Sequence, residues 1–557
     1  MLPRQPISEL ATHSVTNMPP YQGDQDLWRQ DTALRDWVKR FGGDWAEERL
    51  ARAGKEAGAE ATFEKADAAN RNPPQLKAFD RYGMRINQVE FHPAYHDLMD
   101  LAVRNEVSSF AWNHKKPGSQ VAHMALTYMF SQPEGGVMCP MAMTYAVLPV
   151  LFATKGIGGE WIKKLLSTTY DRRDIPVTEK AGATAGMFMT EKQGGSDVRS
   201  NSTRATPVGP ETGEGRAYLL NGHKFFCSAP MSDAFLTLAY TEKGLSCFLV
   251  PRWTPDGQRN VLSIQRLKDK LGNRSNASSE MEFQDTWGLM TGTEGKGIQT
   301  IIEMVKGTRI YCAASSAAMM RQGLVQALHH TSHRSAFQKR LIQQPLMRNV
   351  LADLAVESEA AVALVMRVAK ALDHSKTSET EAVFARIGTA IAKYWICKRA
   401  PGHLFEAMEC HGGSGYVEES VLPRLYREAP VNSIWEGSGN VMCLDVLRAM
   451  HKEPMAIPVI LGELEGALGK NGLLDQEFER LKNEFANAKD LELRARALTE
   501  RIAIALQAAL LLSHGPAATA EAFCLSRLGS KWTGAYGTLP PTVEFDAILE
   551  RAEPEGI

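Results

Sequence analysis

The spacing of the apolar residues changes twice along this chain of 557 residues. Between Tyr95 and Lys164 apolar side chains recur at helical spacing, whereas short β-favouring runs broken by turn residues follow Gly186. After Thr300 the helical period returns as successive stripes, one of which runs from Leu351 to Leu372. A helical part, a β-part and a helical bundle are therefore expected to follow one another along the chain.

We expect four parts with different structures. They are an N-terminal extension with a helical domain, a middle β-domain, a helical bundle and an extra C-terminal helical region, at residues 1–184, 185–295, 296–450 and 451–557, respectively. Within the β-domain, the β-favouring runs at 217–220 and 225–228 are expected to be separate strands, because the turn signal Asn221-Gly222 lies between them.

The charges are balanced, with 63 Lys and Arg against 64 Asp and Glu and a net charge of −1. A general attraction to nucleic acid or to an anionic membrane is therefore excluded, and such a partner would need a local patch. The eight cysteines include no CxxC pair and no Cys/His cluster at zinc-ligand spacing, which predicts reduced thiols and no metal site.

The sequence also predicts a cytoplasmic protein without a membrane partner. Residues 142–154, the longest apolar stretch, are shorter than the ~20 residues of a membrane span and contain Pro149. The stretch MLPRQPISELATHSV at the start of the chain lacks the apolar core of a secretory signal.

Two segments carry residues suited to binding a flat, charged cofactor. The first, Met189-Thr-Glu-Lys-Gln-Gly-Gly-Ser-Asp-Val198, has paired glycines whose backbone N–H groups can approach an anion or a ring edge closely. The second, Gly222-His-Lys-Phe-Phe-Cys-Ser228, places an aromatic pair before a small hydroxyl residue, which suits the wall of a heteroaromatic ring site. Each also fits a structural interpretation, the first as a simple turn and the second as a sheet core capped by a serine.

A third segment, Ser433-Ile-Trp-Glu-Gly-Ser-Gly-Asn440, has one carboxylate, Glu436, between Trp435 and Gly437. A carboxylate in apolar surroundings has a raised proton affinity and can act as a general base. Glu436 taken alone fits a helix-capping acid equally well, so both interpretations stay open at this point.

Together and in this order, the three segments resemble the acyl-CoA dehydrogenase family of flavoproteins. The family's T-E-x-x-x-G-S-D segment is matched by Thr190-Glu191 and Gly195-Ser196-Asp197, its aromatic-Ile-Thr strand by Phe226-Cys227-Ser228, and its Tyr-Glu-Gly-Thr segment by Trp435-Glu436-Gly437-Ser438. Further matches are Lys270-Leu-Gly-Asn-Arg-Ser275, His333-Arg-Ser-Ala-Phe337 and Gly412-Gly-Ser-Gly-Tyr416. The long runs 189–197, 266–278 and 433–448 resemble the AidB-type branch, which is linked to the bacterial response to DNA alkylation.

The resemblance implies an α+β, mainly α, acyl-CoA dehydrogenase fold with an N-terminal helical domain, a middle β-barrel domain, a C-terminal helical bundle and the extra C-terminal helical region. It implies FAD as the cofactor and an acyl-CoA thioester as the substrate. Glu436 is then the catalytic base that removes the α-proton while the β-hydrogen leaves as hydride to the flavin. An FAD-dependent oxidoreductase is therefore predicted.

The resemblance also implies which residues contact FAD. They are Met189, Thr190, Gly195, Ser196, Phe226, Cys227, Ser228, Arg334, Gly412, Gly413, Ile434, Trp435, Ser438 and Asn440. Arg334 and the loop 412–415 are implied to serve the FAD of a neighbouring subunit, which predicts a homotetramer built as two dimers.

Several positions depart from the family pattern. Phe226 replaces the usual tryptophan of the flavin wall, Glu409 replaces the usual glutamine before the glycine loop, and Gln338 replaces a glycine after the Arg-x-x-Phe match. Arg448, beyond Glu436, is either a helix ion-pair residue or a charge in the acyl channel.

The branch is also associated with DNA binding through its C-terminal region, so double-stranded DNA is a candidate partner. Residues 455–557 contain ten Lys and Arg against fifteen Asp and Glu, a net charge of −5, so only a folded patch could contact phosphates. The candidates for such a patch are Lys470, Arg480, Lys482, Lys489, Arg494, Arg496 and Arg501. The alternatives are an ordinary acyl-CoA dehydrogenase of fatty-acid or branched-chain metabolism without DNA binding, and a structural protein with a vestigial flavin site.

Overall fold

The structure, a computed structural model, describes residues 7–530 and 532–554. Residues 1–6 of the predicted N-terminal extension, Lys531, and residues 555–557 of the predicted C-terminal region lie outside the described residues. Across the described part, helices occupy both ends of the chain and a sheet occupies the middle, as predicted.

The N-terminal part is helical and carries one β-hairpin. Helix α1 begins where Asp31 accepts a hydrogen bond from the backbone N–H of Leu34 (2.9 Å), which satisfies a free donor of the first turn. Helices α6 and α7 are buried around most of their surface and form the core of this part. The elements are α1 (Thr32–Arg40), α2 (Glu47–Gly58), α3 (Glu60–Arg71), β1 (Gln75–Phe79), β2 (Arg85–Glu90), α4 (Pro93–Arg104), α5 (Phe110–Asn113), α6 (Ser119–Phe130), α7 (Met138–Ala153) and α8 (Gly159–Leu165).

The middle part is a sheet that closes on itself. Its strands are β3 (Ala185–Phe188), β4 (Arg204–Pro207), β5 (Ala217–Ser228), β6 (Ala234–Thr241), β7 (Gly244–Pro251), β8 (Leu262–Leu267) and β9 (Ser278–Thr291). They follow the order β3-β6-β4-β5-β9-β7, and because β6 also pairs with β7 the strands from β6 to β7 form a ring, as in the predicted barrel. Strand β8 pairs with β9 beside this ring. Phe188 and Phe235 stack 4.0 Å apart in its core.

The predicted turn at Asn221-Gly222 is wrong. Strand β5 continues through it and pairs with β9 on both sides, with a register shift between Leu220 and Gly222 that marks a β-bulge. Gly222 has a φ of +152°, and a Cβ at this position would lie 2.7 Å from the Cα of Thr203. The bulge and the close packing both require glycine at position 222. The Asn221-Gly222 pair, which is typical of a turn, therefore also fits this bulge.

Long helices form the bundle after the sheet. The predicted apolar stripe lies on α10, where Leu351, Leu354 and Val365 are fully buried. The elements are α9 (Gly297–His333), β10 (Ser335–Ala336), β11 (Lys339–Arg340), α10 (Pro345–His374), α11 (Glu379–Glu409), α12 (Gly413–Tyr416), α13 (Leu422–Asn432) and α14 (Gly439–Lys452).

The C-terminal region packs against this bundle through α17 and α19, which contact α10. Its elements are α15 (Ala456–Glu465), α16 (Gly472–Ala486), α17 (Ala495–His514), α18 (Ala517–Phe523), a π-helical turn (Cys524–Leu528) and α19 (Phe545–Ala552). Arg527 of the π-helical turn is buried between Asp353 (2.5 Å) and Glu357 (2.8 Å) of α10. The region is therefore fastened to the bundle by buried ion pairs as well as by apolar contacts.

The eight cysteines all lie in the described part of the chain, and each is buried as a free thiol, as predicted. None of the helices in residues 7–530 and 532–554 has the length and apolar character needed to cross a membrane.

Candidate active site

A cleft lies between α7, α9, α13 and the loop that carries Glu436. Apolar side chains such as Met138 of α7 and Met319 of α9 form much of its wall. Two carboxylates, Glu428 and Glu436, also line it. A mostly apolar cleft with a few polar groups is the usual form of a small-molecule site.

The loop holds Glu436 in a strained conformation. Its φ is +59°, in the left-handed region that glutamate rarely adopts, and Gly437 follows with a φ of +109°. Lys393 of α11 donates to the carbonyl oxygens of Trp435 (2.8 Å) and Gly437, and Arg309 of α9 donates to that of Glu436 (2.9 Å). Backbone strain persists only where the surroundings enforce it, and it is frequent at active sites.

The two carboxylates of the cleft differ in their hydrogen bonds. Glu428 accepts one bond from the backbone N–H of Asn273 and another from its Nδ2 (2.7 Å). The Oε2 atom of Glu436 is buried and has no hydrogen-bond partner among the described residues. Burial raises the pKa of Glu436 above the ordinary glutamate value, although the Thr308 hydroxyl and two cations oppose the rise. Glu436 thus combines a free oxygen with a raised proton affinity, as a general base requires.

The turn at residues 189–198 is built on a buried ion pair that the sequence analysis missed. Glu191 and Lys224 lie 2.8 Å apart with both side chains fully buried. Glu191 also accepts bonds from the backbone N–H of Ser202 (2.6 Å) and the hydroxyl of Thr203 (2.5 Å). Burial alone would raise the pKa of Glu191, but Lys224 and these hydrogen bonds lower it to about 2. The ion pair joins the turn to β5.

The predicted residues of this turn remain accessible. Gly195 and Ser196 are exposed at its tip, and Met189 and Thr190 are half-buried directly after β3. The carbonyl oxygen of Thr190 accepts a bond from the backbone N–H of Phe225 (2.8 Å). The turn therefore lies beside the end of β5.

Successive residues at the end of β5 face opposite sides of the strand. The Phe226 side chain is 52% exposed, whereas Cys227 is fully buried in the core of the β-domain. The pleat turns the Cys227 thiol into the core, so a contact of Cys227 with a cofactor would have to be made by its backbone. The Ser228 hydroxyl, half-buried, lies 3.2 Å from that of Ser278.

Cys139, in the first turn of α7, links the end of β5 with the cleft. It lines the cleft together with Glu436, and its thiol is within hydrogen-bonding reach of the Ser228 hydroxyl. Burial raises the pKa of this thiol to about 12, so it is neutral. Cys139 therefore lies beside Ser228 and in the wall of the cleft that Glu436 also lines.

The rest of the Glu436 loop is partly open. Ile434 is 64% exposed, and the half-buried Trp435 donates its indole N–H to the side-chain oxygen of Asn432 (3.1 Å). Ser438 precedes α14 as its N-cap, where backbone N–H groups are free to bind a ligand.

The C-terminal region reaches a predicted cofactor residue. The Oδ1 atom of Asn440, in the first turn of α14, accepts a hydrogen bond from Arg496 of α17 at 2.7 Å. No signal in the sequence indicated that these two helices meet at this point.

Arg334 and the pair Gly412-Gly413 lie together at one end of the bundle. Arg334 follows α9 and donates to the carbonyl oxygen of Asn17 (2.8 Å). His330 of α9 contacts His411, which precedes the glycines, with ring centroids 4.5 Å apart. These residues lie outside the Glu436 cleft, and their role toward a neighbouring subunit stays a prediction.

Arg448 is held in an ion pair outside the residues that line the cleft. It lies 3.3 Å from Asp445, which also binds Arg309 (2.8 Å) and Arg386 (2.7 Å). The structure therefore supports its interpretation as a helix ion-pair residue.

Most of the cations considered for a DNA-binding patch have anionic partners on the same surface. Four of the seven pair with glutamates of α16, and these pairs are Arg480–Glu477, Lys482–Glu479, Arg494–Glu484 and Arg501–Glu477. The pairs reduce the positive charge that this surface presents.

Three family profiles match successive parts of the chain. Residues 17–172 match the adaptive response protein AidB N-terminal domain, 186–286 the acyl-CoA dehydrogenase middle domain, and 295–451 the acyl-CoA dehydrogenase C-terminal domain. The chain belongs to the acyl-CoA dehydrogenase family.

Individual relatives agree with this assignment. The chain is 44% identical over 522 residues to AidB of Escherichia coli (strain K12), covering 93% of this chain and 95% of that protein, so its place is in the AidB-type branch. The solved structure of Caenorhabditis elegans ACDH-11 in complex with C11-CoA has a TM-score of 0.84 at 25% identity and covers 96% of both chains. A Bacillus anthracis acyl-CoA dehydrogenase complexed with FAD has the same fold, with a TM-score of 0.63 at 18% identity over 82% of each chain.

Proposed function

We propose that this protein is an FAD-dependent acyl-CoA dehydrogenase in which Glu436 removes the α-proton of an acyl-CoA thioester. The observation that carries the proposal is the buried Oε2 atom of Glu436, which faces an apolar cleft without a hydrogen-bond partner among the described residues. An unpaired buried acceptor is costly unless a ligand supplies its partner. The α-C–H group of a thioester in the cleft would give its proton to this oxygen.

The residues beside the cleft fit a flavin. The exposed ring of Phe226 offers a flat apolar surface, and the neighbouring Ser228 hydroxyl offers a hydrogen bond at its edge. Thr190 and Ser196 add hydroxyls from the adjacent turn, and the cofactor, FAD, would accept the hydride. The three residues Ser438 to Asn440 at the start of α14, and the group around Arg334, would hold its remaining polar parts.

The reaction removes two hydrogens with balanced charge. Glu436 takes the α-hydrogen as a proton on Oε2, and the β-hydrogen leaves with its electron pair, so that a double bond forms between the two carbons. The apolar walls exclude water from the carboxylate, which keeps its proton affinity high. Arg309 and Lys393 hold the loop so that the carboxylate cannot relax out of the cleft.

Anaerobic mixing tests this proposal. The purified protein should bind FAD. Acyl-CoAs of several chain lengths should then bleach the visible flavin absorbance during mixing or within the following minutes. The CoA thiol without an acyl group is the control and should leave the absorbance unchanged. A protein that binds FAD and is not bleached by any saturated acyl-CoA would contradict the proposal.

DNA binding by the AidB-type branch remains a separate prediction. Since glutamates of α16 pair with four of the candidate cations, we expect this surface to bind a DNA duplex weakly. A salt series in a duplex-binding assay measures the number of phosphate contacts, because each contributes about −0.9 to the slope of log K against log salt. A steep slope, which corresponds to many phosphate contacts, would overturn this expectation if it becomes shallow when Lys489 and Arg496 are replaced by Gln.

A further inference from the structure

A half-buried ammonium group lies where the β-domain meets the cleft. Lys270, in the segment between β8 and β9, donates from Nζ to the carbonyl oxygen of Asn276 (2.6 Å) and to the hydroxyl of Ser278 (3.1 Å). No Asp or Glu of the described residues comes within ion-pair distance of it. A partly desolvated cation without an ion-pair partner can stabilise a negative charge that a ligand brings.

The two carboxylates whose charges act on Lys270 are Glu134 and Glu428, and both accept hydrogen bonds from neutral donors. Glu134 accepts bonds from the hydroxyl of Ser275 (2.7 Å), from Asn70 (2.8 Å) and from the backbone N–H of Val137 (2.7 Å). Glu428 accepts its bonds from Asn273. Their charges act on Lys270 from beyond contact distance, whereas burial lowers the pKa of Lys270 to about 8.

A pair of hydroxyl groups connects Lys270 with the cleft. Ser278, which accepts a bond from Lys270, lies 3.2 Å from the Ser228 hydroxyl, and Ser228 in turn is within reach of the neutral Cys139 thiol. Ser228 is the residue at the end of β5 beside which the flavin ring would lie. Two polarisable hydroxyls therefore connect Lys270 with the residue beside which the flavin would accept the hydride.

We propose that Lys270 supplies the positive charge that offsets the negative charge carried by the hydride, and so raises the redox potential of bound FAD. The inference rests on the proposed function. In that reaction Glu436 gains the positive charge of the α-proton, and the transferred hydride carries an equal negative charge to the other side of the substrate. Lys270 would act on that second charge through Ser278 and Ser228 and is therefore a positioning residue.

The potential of bound FAD tests the inference without turnover. Lys270→Met keeps the aliphatic stem and removes the charge, and equilibration with a reference dye should show an at least tenfold loss in the equilibrium constant for reduction. For a two-electron couple this is about 30 mV. Lys243→Met, which removes an exposed cation of the same domain, is the matched control and should leave the potential unchanged.

Two further variants keep the test decisive where Lys270→Met fails to fold. Lys270→Arg retains the charge and should retain the potential, whereas Ser278→Ala removes the hydroxyl link and should lower it. An unchanged potential in folded, FAD-bound Lys270→Met, or in Ser278→Ala, would overturn the inference while the proposed function stands. Failure of the wild-type protein to bind FAD would instead overturn the proposed function and the inference with it.

Discussion

Replacement of Glu436 by Gln should slow flavin reduction by acyl-CoA by about 10²–10⁴-fold, the usual contribution of a general base. The amide cannot accept the α-proton, whereas it has almost the same size as the carboxylate and leaves the cleft and the FAD contacts in place. Anaerobic stopped-flow measurement of the flavin absorbance gives the rate, and the absorbance of the purified variant shows that FAD is still bound.

Glu428→Gln is the matched control, because Glu428 is the other carboxylate of the same cleft. Its oxygens are occupied by Asn273, so its replacement should change the reduction rate much less than that of Glu436. Equal losses in the two variants, or a normal rate in Glu436→Gln, would show that Glu436 is not the base.

The pH dependence adds an independent check. Burial raises the pKa of Glu436, so the wild-type rate should fall as the pH is lowered through this raised pKa, at a higher pH than an exposed glutamate would give. The folded-state pKa lies above the unfolded one, so ionisation of Glu436 destabilises the fold at neutral pH. Glu436→Gln should therefore melt at the same temperature as the wild type or higher, which separates a catalytic loss from unfolding.

The three motifs could be recognised in the sequence, whereas the contacts that surround them in the fold could not. The segments around Thr190, Phe226 and Glu436 could be found because each motif is short and contiguous. The structure places Cys139 beside Ser228 and in the wall of the cleft that Glu436 lines, an arrangement of distant segments that no local pattern indicates. The turn predicted at Asn221-Gly222 failed for a related reason, since whether a glycine serves a turn or a bulge depends on the strand across the sheet.

Buried charges were the least predictable part of the fold. The Glu191–Lys224 pair and the contacts of Lys393 with the Glu436 loop depend on residues that come together only after folding. The C-terminal region has a net charge of −5, but this number does not show how the region is attached to the bundle. That attachment includes Arg527, whose side chain is 1% exposed.

Replacement of Arg527 by Met should therefore destabilise the protein by about 3–5 kcal/mol, because Asp353 and Glu357 would remain buried with less positive charge to balance them. Burial alone would raise the pKa of Glu357, but Arg399 and Arg527 lower it to about 2, so the carboxylate is ionised in the wild-type fold. Without Arg527 its ionisation costs stability, and the deficit should shrink as the pH is lowered toward the carboxyl range. Denaturant unfolding at several pH values measures both effects.

Arg480→Met is the control for this variant. Arg480 is exposed and lies 3.5 Å from Glu477 in the same C-terminal region, and exposed cations in such pairs contribute about 0–1 kcal/mol. Glu477 keeps its ion pair with Arg501 (2.7 Å) when Arg480 is replaced. A loss in Arg527→Met no larger than in Arg480→Met would show that the buried cluster does not hold the region on the bundle. Because α17 carries Arg496, which binds Asn440 beside the Glu436 loop, loosening of the region should also weaken FAD binding. The C-terminal region would then support the cofactor site through the same contacts that fasten it to α10 and α14.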